Sequence, residues 1–252
     1  MKAYYGSRFP VINILTSKIL FGVVKYRLSY LRFRNKLKQK AIEKELVLVN
    51  DSNTKNEFDS FIKAGYDKVN IGGGPYNING FVNIDFVKYP EIKNQLQANI
   101  LDLSFIDNKS LSHIYSNQVL EHLSYEQLIS QFNQYNRILK EDGVISFRTP
   151  NALGVSYGFW FGQVPEEDGE EFIKAGYPSD AFFYDPRDGW YHKDLFALIH
   201  WWYADAGNIK NKHLTLFTPT KVKDILLKTG FEIVCITKPE TSQIIVVAKK
   251  QQ

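Results

Sequence analysis

A chain of 252 residues, 44% hydrophobic and 23% charged, is long enough for one domain with a buried core and an appendage, which excludes a disordered ground state. Its single cysteine, Cys235, excludes an intramolecular disulfide and a multi-cysteine zinc site, and a reducing, cytoplasmic setting is expected. The net charge of +4 is too small to surround the whole molecule with a nucleic-acid-binding field, so no nucleic-acid partner is expected.

The basic residues gather at one end. Residues 1–50 read as a basic, amphipathic helical arm, with nine Lys or Arg between Lys18 and Lys44 and Glu43 the only acid. Leu20, Val24, Leu28 and Leu31 recur at helical spacing, while Lys25, Arg27, Arg32 and Arg34 fall elsewhere on the wheel. Such an arm suits peripheral contact with the anionic inner face of a membrane, or packing on the domain or on a second copy of the chain. The apolar run from Phe9 is broken by Lys18, too early to span a bilayer, and no cleavage signal follows it.

Asn50-Asp51-Ser52-Asn53 is a polar break that opens a second domain, 51–252. A helical stretch through Phe58, Phe61 and Ile62 leads to a strand, Lys68–Ile71, that ends in Gly72-Gly73-Gly74-Pro75. Three more extended pieces follow: Phe81–Asp85, then Ala98–Leu101 running into Asp102-Leu103, then Ser112–Ser116. The clearest helix starts at Ser124, with Gln127 completing a capping box and Leu128, Phe132, Tyr135 and Leu139 as its stripe, and Gly143 stops it. Val144–Phe147 reads as the fifth strand, and residues 152–212 form an irregular, aromatic-rich insert.

Thr218 and Pro219 open the last helix, with Leu226 and Leu227 buried and Gly230 closing it. Two strands end the chain, Glu232–Thr237 and Gln243–Ala248. Their connection is too short for a parallel crossover, so they form an antiparallel hairpin. Alternating strands and helices predict an α/β fold: a doubly wound, mostly parallel sheet with that hairpin at its end.

In such sheets ligands bind beyond the carboxyl ends of the strands. Gly72, Gly73 and Gly74 fall there, where missing side chains let a ligand approach the backbone. Asp85, ending the second strand, can accept from both hydroxyls of a ribose, and Asp102, after the third, from an adenine amino group. Singly, these are ordinary turn residues; their order carries the reading. The fingerprint G-x-G-x-x-G fails at Asn77, which disfavours a nicotinamide dehydrogenase.

The run Val69-Asn70-Ile71-Gly72-Gly73-Gly74, with Gly80–Asp85, resembles motif I and its acidic follow-up in class I S-adenosylmethionine (SAM) dependent methyltransferases. The likeness is to their type 11 group, often found beside glycosyltransferases. Asp102-Leu103, Tyr115–Leu123, Arg137–Gly143, and His213–Pro219 followed by Thr229-Gly230-Phe231 resemble later parts of that group, so the likeness spans about residues 65–250 without the insert. It implies a Rossmann-like fold and SAM as cofactor. Gly72, Gly73 and Gly74 would line the methionine moiety, Asp85 would bind the ribose, and Asp102 and Leu103 would lie near the adenine. Asn117 is the remaining expected SAM contact. Asn70 departs from the pattern, because many members carry there an acid that helps hold the methionyl ammonium. Leu111-Ser112 departs from the common Phe-Asp.

The implied activity is methyl transfer, expected on an oxygen of a saccharide or glycan precursor. The alternatives are another small-molecule or lipid-linked acceptor, and a binding module without chemistry. Aromatic rings and acids in the insert suit a sugar, though the same rings can form a mini-core over the sheet edge or a dimer contact. A hydroxyl acceptor is helped by a base, and His122 and His213 are the catalytic candidates, each with an ordinary structural role as the alternative. Gln118, Glu121, His122 and His213 also resemble the metal-binding Glu-x-x-Glu-His plus distal His of small-RNA 2′-O-methyltransferases. Glutamine is a poor ligand, so no metal is expected.

Overall fold

The computed structural model describes residues 49–161, 169–181 and 213–251. The basic arm and the greater part of the aromatic insert lie outside these residues.

In chain order the elements are α1 (Ser52–Lys63), β1 (Lys68–Ile71), β2 (Val82–Asp85), β3 (Gln95–Gln97), β4 (Leu111–Asn117), α2 (Tyr125–Ile138) and β5 (Leu139–Pro150). They are followed by α3 (Ala152–Phe161), α4 (Gly169–Lys174), α5 (Pro219–Lys228), β6 (Phe231–Ile236) and β7 (Gln243–Lys250). The helix starts are written in local chemistry. The Asp51 side chain accepts from the Thr54 amide, and the Asp51 amide donates to Thr54 Oγ1; Ser124 and Gln127 repeat the device on α2, and Thr218 caps α5 ahead of Pro219.

The seven strands run in the order β3-β2-β1-β4-β5-β7-β6. β1 to β5 are parallel, and β7 lies antiparallel between β5 and β6, as the short last connection requires. The order reverses at β1, which has β2 on one side and β4 on the other, and that is the switch point where such sheets open a crevice.

Alternation along the strands separates two faces. Val69, Ile71, Ile84, Ile114 and Phe147 look into the larger core beneath α1, α2 and α5. The other face carries a row in register across four strands, Asn83, Asn70, Tyr115 and Ser146. A smaller apolar group that includes Phe172 and Tyr177 covers part of it. A polar row on a sheet face demands partners, and this face is where the site forms.

Three expectations are corrected. The third strand is Gln95–Gln97, just before the expected Ala98–Leu101. The Gln95 side chain bonds the backbone at Val87 and Tyr89, which fixes the strand there, and Ile100 is buried from a turn instead. α2 ends at Ile138, not near Gly143, because Leu139 is taken into β5 opposite Leu111; Gly143 lies within β5, and its φ is not left-handed. On α5, Leu227 is 61% exposed, and Val222, Ile225 and Leu226 form the buried i, i+3, i+4 stripe.

Candidate functional site

After β1 the chain turns through Gly72 (φ +68°) and Gly74 (φ +56°), conformations that glycine alone adopts at little cost. β2 holds this loop from the side. Asp85 accepts from the backbone amides of Gly74 and Val87, each at 2.9 Å, and the Asn83 side-chain Nδ2 donates to the Gly74 carbonyl at 2.8 Å. A Cβ added at Gly73 would collide with the side chains of Asn70 and Asn83. Asp85 is buried, and each of its oxygens keeps a lone pair for a further donor.

The loop borders a cavity of about 500 Å³ that Gly72, Gly73, Gly74 and Asn117 all line. Asn70 and Tyr115 line it from the polar sheet face, joined by Tyr76, Gln118, Arg148 and Asp180. The amide oxygens of Asn70 and Asn117 are buried without a hydrogen-bond partner among the described residues. Two unused acceptors beside a glycine loop suit an ammonium group, so the residues present fit the amino-acid end of SAM.

Of the expected site residues, Asp85, which holds the loop from behind, Asp102, Leu103, His122 and His213 are not among those that line the cavity. β3 ends at Gln97, which leaves Asp102 on an exposed turn, bonding the Ser104 amide through its side chain and Asn50 through its carbonyl. Leu103 is buried in the larger core, and its amide donates to Gln134. Sequence reasoning passed over Arg148, which stands in register opposite Asn117. The signal was there: a lone arginine in the otherwise uncharged run Val144–Pro150 that ends β5.

β4 leaves the sheet abruptly. Gln118 adopts φ +56°, uncommon for a residue with a Cβ; its amide bonds the Arg148 carbonyl and its side chain bonds Gln243. The next turn, Leu120–His122, buries Glu121 to 1% exposure. One Glu121 oxygen accepts from Thr149 Oγ1 at 3.1 Å, and burial pushes the carboxyl up to about 8.

The chain beyond the insert returns to this turn. The amides of Leu214 and Thr215 donate to the Glu121 carbonyl, and Thr215 Oγ1 donates to the Leu123 carbonyl. These bonds bring the His122 and His213 rings to 5.2 Å between centroids, with His122 Nε2 at 4.0 Å from Glu121 Oε1. The two candidate bases are therefore one cluster, and Glu121 is part of it.

Residues 58–236 match a family described as methyltransferase domain. No curated protein matches the sequence significantly. Similar solved structures include SAM-dependent methyltransferases from Archaeoglobus fulgidus and Mesorhizobium loti, each 14% identical. The first has a TM-score of 0.46, covering 77% of this chain and 92% of that one; the second has 0.44, covering 73% and 90%. Another is the 1,6-didemethyltoxoflavin-N1-methyltransferase of Burkholderia thailandensis, solved with its acceptor and S-adenosylhomocysteine, at 10% identity, TM-score 0.45 and 90% of both chains. Likeness of that degree decides neither donor nor acceptor. The sequence match runs from within α1 to the end of β6, taking in the glycine loop, Asp85 and the histidine cluster, and the chain belongs to the methyltransferase domain family.

Proposed function

We propose that this methyltransferase takes its methyl group from SAM and delivers it to a hydroxyl of a saccharide or glycan precursor. The observation that carries the donor is the pair of unpartnered, buried amide oxygens on Asn70 and Asn117 in the cavity beside the glycine loop. They offer acceptors to a methionyl ammonium without the usual acid, and Asp85 has lone pairs left for ribose hydroxyls. When bound, SAM supplies an electrophilic methyl on a sulfonium.

The chain's own residues have three tasks. The loop and the polar face orient the donor and exclude water. On the acceptor side, the rings of Tyr76 and Tyr115 with the polar groups of Gln118 and Asp180 suit the alternating apolar and hydroxylated surface of a sugar. The His122–His213 cluster takes the proton the hydroxyl loses. As the oxygen–carbon bond forms, the carbon–sulfur bond breaks and its electron pair stays on sulfur.

The test is calorimetry with SAM, then transfer of labelled methyl to a panel of nucleotide sugars, lipid-linked saccharides and small nitrogen acceptors. Saturable SAM binding and label on a sugar oxygen are expected. Absence of SAM binding overturns the donor assignment, and label confined to nitrogen or carbon overturns the acceptor.

A further inference from the structure

We propose that Glu121, His122 and His213 form a site for one divalent cation of the zinc and cobalt class, which deepens the methyl-transfer reading above and rests on it only for the ion's role. One carboxylate oxygen and one nitrogen from each imidazole all lie within 4.8 Å of one another. Around a tetrahedral ion with bonds of about 2.0–2.2 Å, neighbouring ligand atoms stand about 3.4 Å apart, so movement of about an ångström closes the set. His122 and His213 are only partly buried, which leaves them room for it.

Two observations favour a cation over a purely structural cluster. The Glu121 carboxyl is 1% exposed, and its Oε1, the oxygen facing His122 Nε2, has no hydrogen-bond partner among the described residues. A buried acceptor left unused is costly, and a cation beside it removes that cost. The geometry is also built from the backbone: the Leu214 and Thr215 amides fasten the His213 segment to the carbonyl of Glu121 itself. Thr149 orients the carboxylate through Oε2, the outer contact a metal ligand normally has. Gln118 is not counted as a ligand: its Nε2 donates to Gln243 Oε1, and a carboxamide is a poor ligand for such an ion.

Two imidazoles and one carboxylate select a borderline ion over magnesium or calcium, and three protein ligands leave a fourth position open. On the methyl-transfer reading that position takes the acceptor hydroxyl and lowers its pKa. With the ion in place the imidazoles are its ligands and no longer take the proton themselves, so the proton leaves to solvent as the oxygen–carbon bond forms and the carbon–sulfur bond breaks.

The test uses the full chain, stripped with EDTA and titrated with Co²⁺ alone, followed by visible absorption and by calorimetry, with Zn²⁺ as competitor. One equivalent per chain is expected, with the absorption of a low-coordinate cobalt site. His213→Ala and Glu121→Gln should each weaken binding by more than the roughly 10–100-fold that loss of an outer contact costs. Both should keep the wild-type affinity for SAM, which reports folding; if Glu121→Gln fails to fold, His213→Ala decides. No saturable Co²⁺ or Zn²⁺ binding by the folded chain overturns the site, as does unchanged binding in His213→Ala. Binding of Co²⁺ by a chain that binds no SAM supports the site and overturns only the donor.

Discussion

Asp85 fixes the glycine loop before any ligand arrives, because both of its oxygens already hold backbone amides. Asp85→Ala removes that support and, on the proposed SAM reading, the acceptor for the ribose hydroxyls. The expected loss in SAM binding is on the order of 2–4 kcal/mol, or about 30- to 1,000-fold. Calorimetry on a folded variant measures it, and wild-type affinity would remove Asp85 from the cofactor site. His113 behaves differently. It is buried on the polar face with Nε2 at 2.7 Å from Ser146 Oγ, and burial, helped by Lys68, pushes it down to about 4. An unfolded histidine titrates near 6.5. Between pH 6.5 and 4 the unfolded chain therefore binds a proton that the folded chain refuses, and stability falls as pH drops through that window, by on the order of 3 kcal/mol. Below about pH 4 this group adds no further loss. Thermal unfolding from pH 7 to pH 4 should show a shallower decline in His113→Gln than in the wild type; parallel declines would contradict the assignment.

Among elements, α3 and the β6–β7 turn meet with no room for an added side-chain atom at Gly154. Asn151, at the end of β5, donates to the carbonyls of Pro239 and Thr241 and accepts from the Leu153 amide, so one side chain starts the helix and holds the hairpin turn. Gly154 lies against that turn, and a Cβ there would run into the Thr241 carbonyl. Gly154→Ala must push backbone from backbone, which costs about 1–3 kcal/mol. At this chain size each kcal/mol lowers Tm by about 2–4 °C. A thermal melt of Gly154→Ala that overlays the wild type would show that the helix has slack against the turn.

At the scale of the whole molecule, charge is spread unevenly along the sequence. The nine Lys or Arg residues between Lys18 and Lys44 outweigh the net charge of +4, which leaves the remainder of the chain slightly acidic. No helix among the described residues is long and apolar enough to cross a membrane. Each basic residue held at an anionic surface contributes about 1 kcal/mol, and salt screens the attraction. The full chain should therefore sediment with anionic vesicles in a salt-sensitive manner, and a chain lacking residues 1–45 should stay in solution. Equal sedimentation of both would reassign the arm to a protein surface.

The amino-acid sequence by itself determined what rests on contacts a few residues long or on chain length. Ser124 with Gln127 and Thr218 with Pro219 mark helix starts because their caps close within a single turn. The last two strands are antiparallel because no crossover fits between them. The glycine loop and Asp85 were legible for the same reason, being adjacent to strand ends. Tertiary structure decided the rest. It placed β3 at Gln95–Gln97, because an edge strand is set by what its partner offers, here the backbone around Val87. It set Arg148 opposite Asn117 and made Asn70 part of the cavity, since which residues share a sheet face depends on register between strands distant in sequence. It joined His213 to Glu121 and His122 across the whole insert by backbone hydrogen bonds to the turn after β4. Helical and strand periods operate along one segment at a time, whereas a site is made where segments meet, and that meeting is fixed by packing and register.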